Sequence, residues 1–439
     1  MIGQAIEMRA PRRRPLRWYI CLLLLASTVI NYLDRQTLSL LAPFLRSTYR
    51  WSNTDYADLI IGFRLAYGIG QMLSGRWIDR LGTRRSISIS VAIYSLASMT
   101  TPLANGLFSF LGFRALLGLG ESANWPAATK AVSEWFPARE RGLATAMFDS
   151  GSSIGGAIAP FLALWIYSHW GWRPAFIVPG VLGLLWLLLW RRFYYPPEQH
   201  PSISPQELTM LRADKAKAGA LADAPRTPLS RLLRFPQTWG VIAARAFTDP
   251  VWYFVTDWFP IYLVAKGIDL RSGLIAVWVP FLAADAGNFA GGTISGWLIR
   301  RGWSVGWARK AVVIAGALGT TMLIPTVFTT SIVTLTVLFA AATFSYACFS
   351  TIANVLPSDL YQHDAVATVS GLSGSASALM TVMAMKAVGY MSDMRQATGT
   401  HTFDPIMIAA GCIPCIGMVL VLLLVRNTRA TEEHLLLRL

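Results

Sequence analysis

Charged and amide side chains stand inside otherwise apolar stretches at three places, and these are the residues best suited to chemistry. The first is Asn31-Tyr32-Leu33-Asp34-Arg35-Gln36. The second is Arg64, Tyr67 and Gln71, whose spacing puts three polar groups near one face of a helix. The third joins Arg114, Glu121 and, less closely, Asn124 on a stripe two turns long. Ionisable groups in apolar spans are costly, and they usually line a cavity or an ion pathway. Asp34 and Arg35 are neighbours, so on a helix they point about 100° apart and each should find its own partner. Asp149, Asp257 and Asp285 add acids to later apolar stretches. Each is open as a site for a proton or a cation, or as the partner of a structural arginine such as Arg245. Other chemistries find no support. There is no GxxxxGK[ST] to cradle ATP and no HExxH, and the five histidines are scattered, so neither an enzyme nor a metal site is expected. Ser150-Gly-Ser-Ser153 lacks a nucleophile-elbow context, and Cys412-Ile-Pro-Cys415 has no second pair beside it.

The elements that must position these groups follow from composition. Of 439 residues, 54% are hydrophobic and 14% charged, short of the roughly one quarter charged that soluble domains carry. A hydrocarbon core takes about 20 residues of helix, and apolar runs between polar breaks predict twelve spans. They lie near 18–45, 55–78, 86–104, 107–133, 142–166, 172–193, 236–265, 273–299, 309–329, 331–356, 366–391 and 403–426. The reading is an all-α polytopic membrane protein of two pseudo-symmetric six-helix bundles, 18–193 and 236–426. A proline-rich, mixed-charge linker (194–235) joins them, and cytoplasmic tails (1–17 and 427–439) flank them. The net charge of +15 gathers in short connections after the second, fourth and eighth spans, as the positive-inside rule requires. Both termini are therefore expected in the cytoplasm, the partner is a bilayer, and no nucleic acid is called for. Arg9 to Arg17 precede a first span that runs past Asn31 without a cleavage site, which reads as an uncleaved helix.

The halves carry a weak repeat. Gly75-Arg-Trp-Ile-Asp79-Arg80-Leu-Gly82-Thr-Arg84-Arg85 closes the second span, and Gly296-Trp-Leu-Ile-Arg300-Arg301-Gly302 the eighth. The first copy resembles the cytoplasmic loop signature of the major facilitator superfamily. There Gly75 permits close helix approach, and Asp79 would latch the outward-open state across the seam between halves. The second copy has Arg300 where the first has Asp79, so any latch there must differ. Asn31-Tyr-Leu-Asp34-Arg35, Arg114 to Pro126 and Glu134-Trp-Phe-Pro137-Ala-Arg-Glu-Arg141-Gly resemble the anion:cation symporter branch of that superfamily. So do Thr248-Asp-Pro-Val-Trp252-Tyr-Phe, Asp257-Trp-Phe-Pro260 and Arg300-Arg-Gly-Trp-Ser304, and the likeness leans toward bacterial hexuronate transporters.

That resemblance implies a twelve-helix carrier in a bacterial inner membrane, working as a monomer without a cofactor other than the coupling proton. It implies proton-coupling roles for Asp34 and Glu121, and contact of the substrate carboxylate with Arg35 and Arg114 beside Tyr67. The chemistry agrees, because a guanidinium fork holds a carboxylate in two bonds. Gln71, Asn124, Ser152 and Ser153 from the first half, with Ser350, Asn354 and Ser373 from the second, would then meet sugar hydroxyls. Asp149 stands where much of the family has Asn, which leaves the ion count per cycle open. The implied substrate is a hexuronate such as glucuronate or galacturonate. Galactonate, glucarate or an aromatic carboxylate is the alternative, and a channel or membrane-embedded enzyme the remote one.

Overall fold

The computed structural model describes residues 15–51, 53–217, 228–255, 262, 266, 274–362, 364–396 and 404–426. Among these, every long regular element is a helix. The first half comprises α1 (Leu16–Tyr49), α2 (Asn53–Leu81), α3 (Thr83–Thr100), α4 (Leu107–Glu121), α5 (Asn124–Trp135), α6 (Ala138–Asp149), α7 (Gly151–Trp170) and α8 (Trp172–Phe193). Two short helices, α9 (Pro205–Lys217) and α10 (Leu229–Leu232), fall in the connection. The second half comprises α11 (Pro236–Ala246), α12 (described over 249–255), α13 (Leu274–Arg300), α14 (Val305–Thr320), α15 (Ile332–Leu360), α16 (Val366–Gln396) and α17 (Asp404–Leu424). Pairing α4 with α5, α6 with α7 and α11 with α12 gives the twelve rods that the apolar runs predict. Eight of the candidate spans are long and apolar enough to cross a bilayer by length and composition alone. Asp257 lies outside the described residues.

Three rods expected to be continuous are broken, the third after Ala246, and the two breaks of the first half have local causes. Pro126 has no N–H to give the carbonyl of Ser122, so the turn between Glu121 and Asn124 cannot close. Ser122 Oγ instead donates to Leu119 O at 2.6 Å. The second break falls at Ser150, where Ser150 and Ser152 turn their hydroxyls back onto the carbonyls of Met147 and Asp149. Glu121 and Asp149 therefore sit at helix ends near the middle of the bundle.

The two halves meet along α2 with α16, α6 with α13 and α15, and α5 with α15 and α16. One close contact between them is at the end that carries the basic connections. A Cβ on Gly75 would lie 2.3 Å from Ala367 O, so only glycine lets α2 come this close to α16. Here Asp79 receives Lys130 Nζ at 2.9 Å, Ala367 N–H at 3.3 Å, Thr368 N–H at 2.7 Å and Thr368 Oγ1 at 2.6 Å. It thereby caps the N-terminus of α16 from the opposite bundle. The counterpart in the second half is not Arg300, which is exposed. Asp359, on α15, pairs with Arg141 at 3.0 Å and with Arg309 at 2.7 Å, and Arg309 also donates to Ala138 O.

The connection between halves docks at the same end. Glu207 on α9 accepts from the backbone of Leu16 and Arg17 and from the Arg17 guanidinium. Asp214 accepts from Ala138 N–H, and its carboxylate lies 3.5 Å from Arg141. Of the loop signature's other residues, Gly82 has φ +81°, a conformation that favours glycine, and Arg84 stacks on Tyr195, while Arg80 and Arg85 are exposed.

Candidate functional site

The break after α4 and the long α1 bring four charges together. Glu121 is fully buried, and its Oε2 accepts from Arg35 Nε at 3.1 Å and Nη2 at 2.9 Å. Arg35 keeps 18% of its side chain exposed and is packed among the rings of Tyr32, Phe63 and Tyr67. These rings hold the guanidinium by cation–π contact and fix its orientation. Arg114 also lies against Phe63, its guanidinium carbon 4.5 Å from the ring centre. It is 4% exposed, and its Nε and Nη1 have no hydrogen-bond partner among the described residues. A buried guanidinium with two unsatisfied donors has the chemistry to donate to an anion.

Asp34 takes a separate partner, as its angular distance from Arg35 required. Ser98 Oγ, on α3, lies 2.5 Å from Asp34 Oδ1 and 2.7 Å from Phe176 O. A serine hydroxyl has one proton, and a backbone carbonyl only accepts. The single Ser98 hydroxyl on α3 thus links Asp34 of α1 to the Phe176 carbonyl of α8. Asp34 Oδ2 and Glu121 Oε1 are buried without partners among the described residues.

The remaining expected residues separate by what they touch. Gln71 Nε2 donates to Tyr67 OH at 3.1 Å, while its Oε1 is unpartnered. Arg64 lies over the ring of Tyr253, across the seam. Asn124 is turned away by the break at residues 122–123. Its Oδ1 accepts from Ser27 and its Nδ2 donates to Thr28, so it ties α5 to α1. Ser152 bonds back across the break to the Asp149 carbonyl, Ser373 bonds to a carbonyl of its own helix, and Ser350 lies within reach of Tyr346. Ser153 donates to Asp285 at 2.6 Å across the halves. Asn354 donates to Asp149, whose other oxygen receives Trp125 Nε1 at 2.9 Å. Ser98, Trp125 and Asp249 escaped the sequence reading. Nothing marks Ser98 among the other serines of α3, whereas Asp249 lies one turn after Arg245 and that spacing was visible.

The family model described as Major Facilitator Superfamily matches residues 24–385. The chain belongs to the Major Facilitator Superfamily. It is 30% identical over 423 residues to a hexuronate transporter of Escherichia coli K12, covering 95% of this chain and 96% of that one. It is 34% identical over 306 residues to a galacturonate transporter of Dickeya chrysanthemi, covering 69% and 88%. A probable galactarate/D-glucarate transporter of E. coli K12 is 29% identical, covering 95% and 96%. Among solved structures, the proton:xylose symporter XylE bound to 6-bromo-6-deoxy-D-glucose superposes with a TM-score of 0.74 at 15% identity, covering 94% and 96%. That likeness carries the fold alone. The chain is thus a multi-pass membrane transporter of organic-acid relatives, and not an enzyme.

Proposed function

We propose that this transporter imports a sugar-acid anion, such as glucuronate or galacturonate, together with protons by alternating access. The observation that carries the reading is Arg114, a buried guanidinium whose Nε and Nη1 lack partners beside the Arg35–Glu121 pair. With Asp34 protonated, Arg35 and Arg114 outnumber Glu121 by one charge. One carboxylate arriving at Arg114 brings that count to zero. Burying it uncompensated would cost several kcal/mol, so the anion and the proton each make the other's entry cheaper.

A second proton on Glu121 would release Arg35, which could then complete the cradle on the carboxylate. The loaded carrier then sets two arginines against one carboxylate, and it closes over the site with its acids neutral and one positive charge remaining. Orientation follows the positive-inside rule: the Asp79 end, with its basic connections, faces the cytoplasm, and both termini lie there. The state described is then closed to the cytoplasm. The membrane is the bacterial inner membrane, the unit is the monomer, and no cofactor beyond the proton is used. A galactonate, glucarate or aromatic-carboxylate carrier would use the same arginines and differ at the far end of the substrate.

The test is Arg114→Lys in purified, reconstituted protein. A point charge cannot reproduce the planar fork, and losing one charge-assisted bond costs about 1.5–3 kcal/mol, or roughly 10- to 150-fold in Kd. Affinity for galacturonate within twofold of the parent would remove Arg114 from the site.

A further inference from the structure

The second half contributes a guanidinium that the mechanism above leaves unused. Arg245, at the end of α11, is 9% exposed. Its Nε and Nη2 lie 3.2 and 3.1 Å from Asp249 Oδ2, which also accepts from Ser377 Oγ. Its Nη1 is buried and has no partner among the described residues. Nη1 faces Gly374 on α16, where a Cβ would lie 3.1 Å from it and 2.0 Å from Gln71 Oε1. A side chain at Gly374 would have to displace the Gln71 carboxamide. Gln71 Oε1, from the opposite bundle, is likewise buried and unpartnered. One wall therefore runs from Arg35 across the Tyr67 ring to Gln71 and on to Arg245. At its far end it presents one donor and one acceptor, contributed by different halves of the molecule.

We propose that Arg245 Nη1 and Gln71 Oε1 read the end of the substrate remote from its carboxylate, and that they select a hydroxyl there over a second carboxylate. This rests on the organic-anion reading and narrows it to sugar monoacids. A hydroxyl accepts from Nη1 and donates to Oε1 at once, whereas a carboxylate only accepts and leaves Oε1 facing a negative oxygen. The charge of Arg245 is already matched by Asp249, so a second negative charge would enter without a counter-charge. Discrimination by an unsatisfied group and an unmatched charge is the repulsive half of specificity.

The experiment measures competition of galacturonate, galactonate and galactarate against labelled galacturonate binding to the purified full chain in nanodiscs. The two monoacids should compete at least about tenfold better than galactarate. Asp249→Asn leaves Arg245 without its counter-charge and should narrow that gap by about tenfold. Gln71→Lys, which turns the acceptor into a donor without touching Asp249, should shift the preference the same way, so one misfolded variant does not remove the test. Galactarate competing as well as the monoacids in the parent chain overturns the inference while leaving the organic-anion reading intact. Two folded variants with unchanged selectivity also overturn it. Binding of none of the three acids overturns both readings together.

Discussion

Asp79→Asn should unlock one end of the transporter. The carboxylate accepts four bonds, three of them from Ala367 and Thr368 at the start of α16 and one from buried Lys130. A carboxamide keeps one acceptor oxygen and turns an NH2 either toward Lys130 and the Ala367 N–H or toward the Thr368 N–H, none of which can accept. At least one bond across the seam is lost, and the Lys130 charge loses its match. Hydrogen bonds to a charged group contribute about 1.5–3 kcal/mol each, so closure should weaken by about 2–4 kcal/mol. That is roughly a 30- to 700-fold fall in the ratio of closed to open states at this end. The effect is state-specific, since an opened seam exposes Asp79 and Lys130 to water. Nitroxide labels at Leu81 and Trp303, exposed on opposite halves, report it as a distance distribution. The parent should give one short distance, and Asp79→Asn should add a longer population. A distribution unchanged by the substitution would refute the latch.

Glu121→Gln should keep substrate exchange between preloaded vesicles and medium while abolishing accumulation driven by a pH gradient; accumulation at the parent level would count against Glu121 as a coupling group. Ser98→Ala removes the hydroxyl that bridges Asp34 to Phe176 O, so the pH at which galacturonate binding is half-maximal should move by about half a unit or more. An unmoved profile would deny the bridge. Asp359→Asn leaves Arg309 without its carboxylate and Arg141 with only the more distant Asp214, and removing one partner of a buried ion network typically costs about 3–5 kcal/mol. A thermal unfolding midpoint within a degree of the parent would show that those arginines find other partners.

Much of the frame was legible in the residue order because a bilayer imposes a coarse rule. Apolar runs of fixed length give twelve rods, and charges inside them stand out since burial makes them costly. Asp34, Arg35, Arg114 and Glu121 were visible for that reason. Polar residues that cost little to bury were not. Ser98 is one serine among several on α3, and its meaning comes from the Phe176 carbonyl, which a fold 78 residues later brings beside it. Asn124 kept its stripe on paper but lost it at the break before α5, although Pro126 marked that break. The latch of the second half differs, as Arg300 in place of an acid required, but its acid, Asp359, lies outside the repeated loop and was not marked by it. The docking of α9 rests on Glu207 and Asp214, two acids in a segment whose composition speaks of solvent.

The central claim is that an organic anion and protons cross together. Uptake of labelled galacturonate into proteoliposomes, with an inward pH gradient imposed and then collapsed by an ionophore, measures it directly. The account predicts accumulation above equilibrium that vanishes with the gradient and is competed by sugar acids. Uptake that is indifferent to the gradient, or competed only by non-acidic sugars, would contradict it.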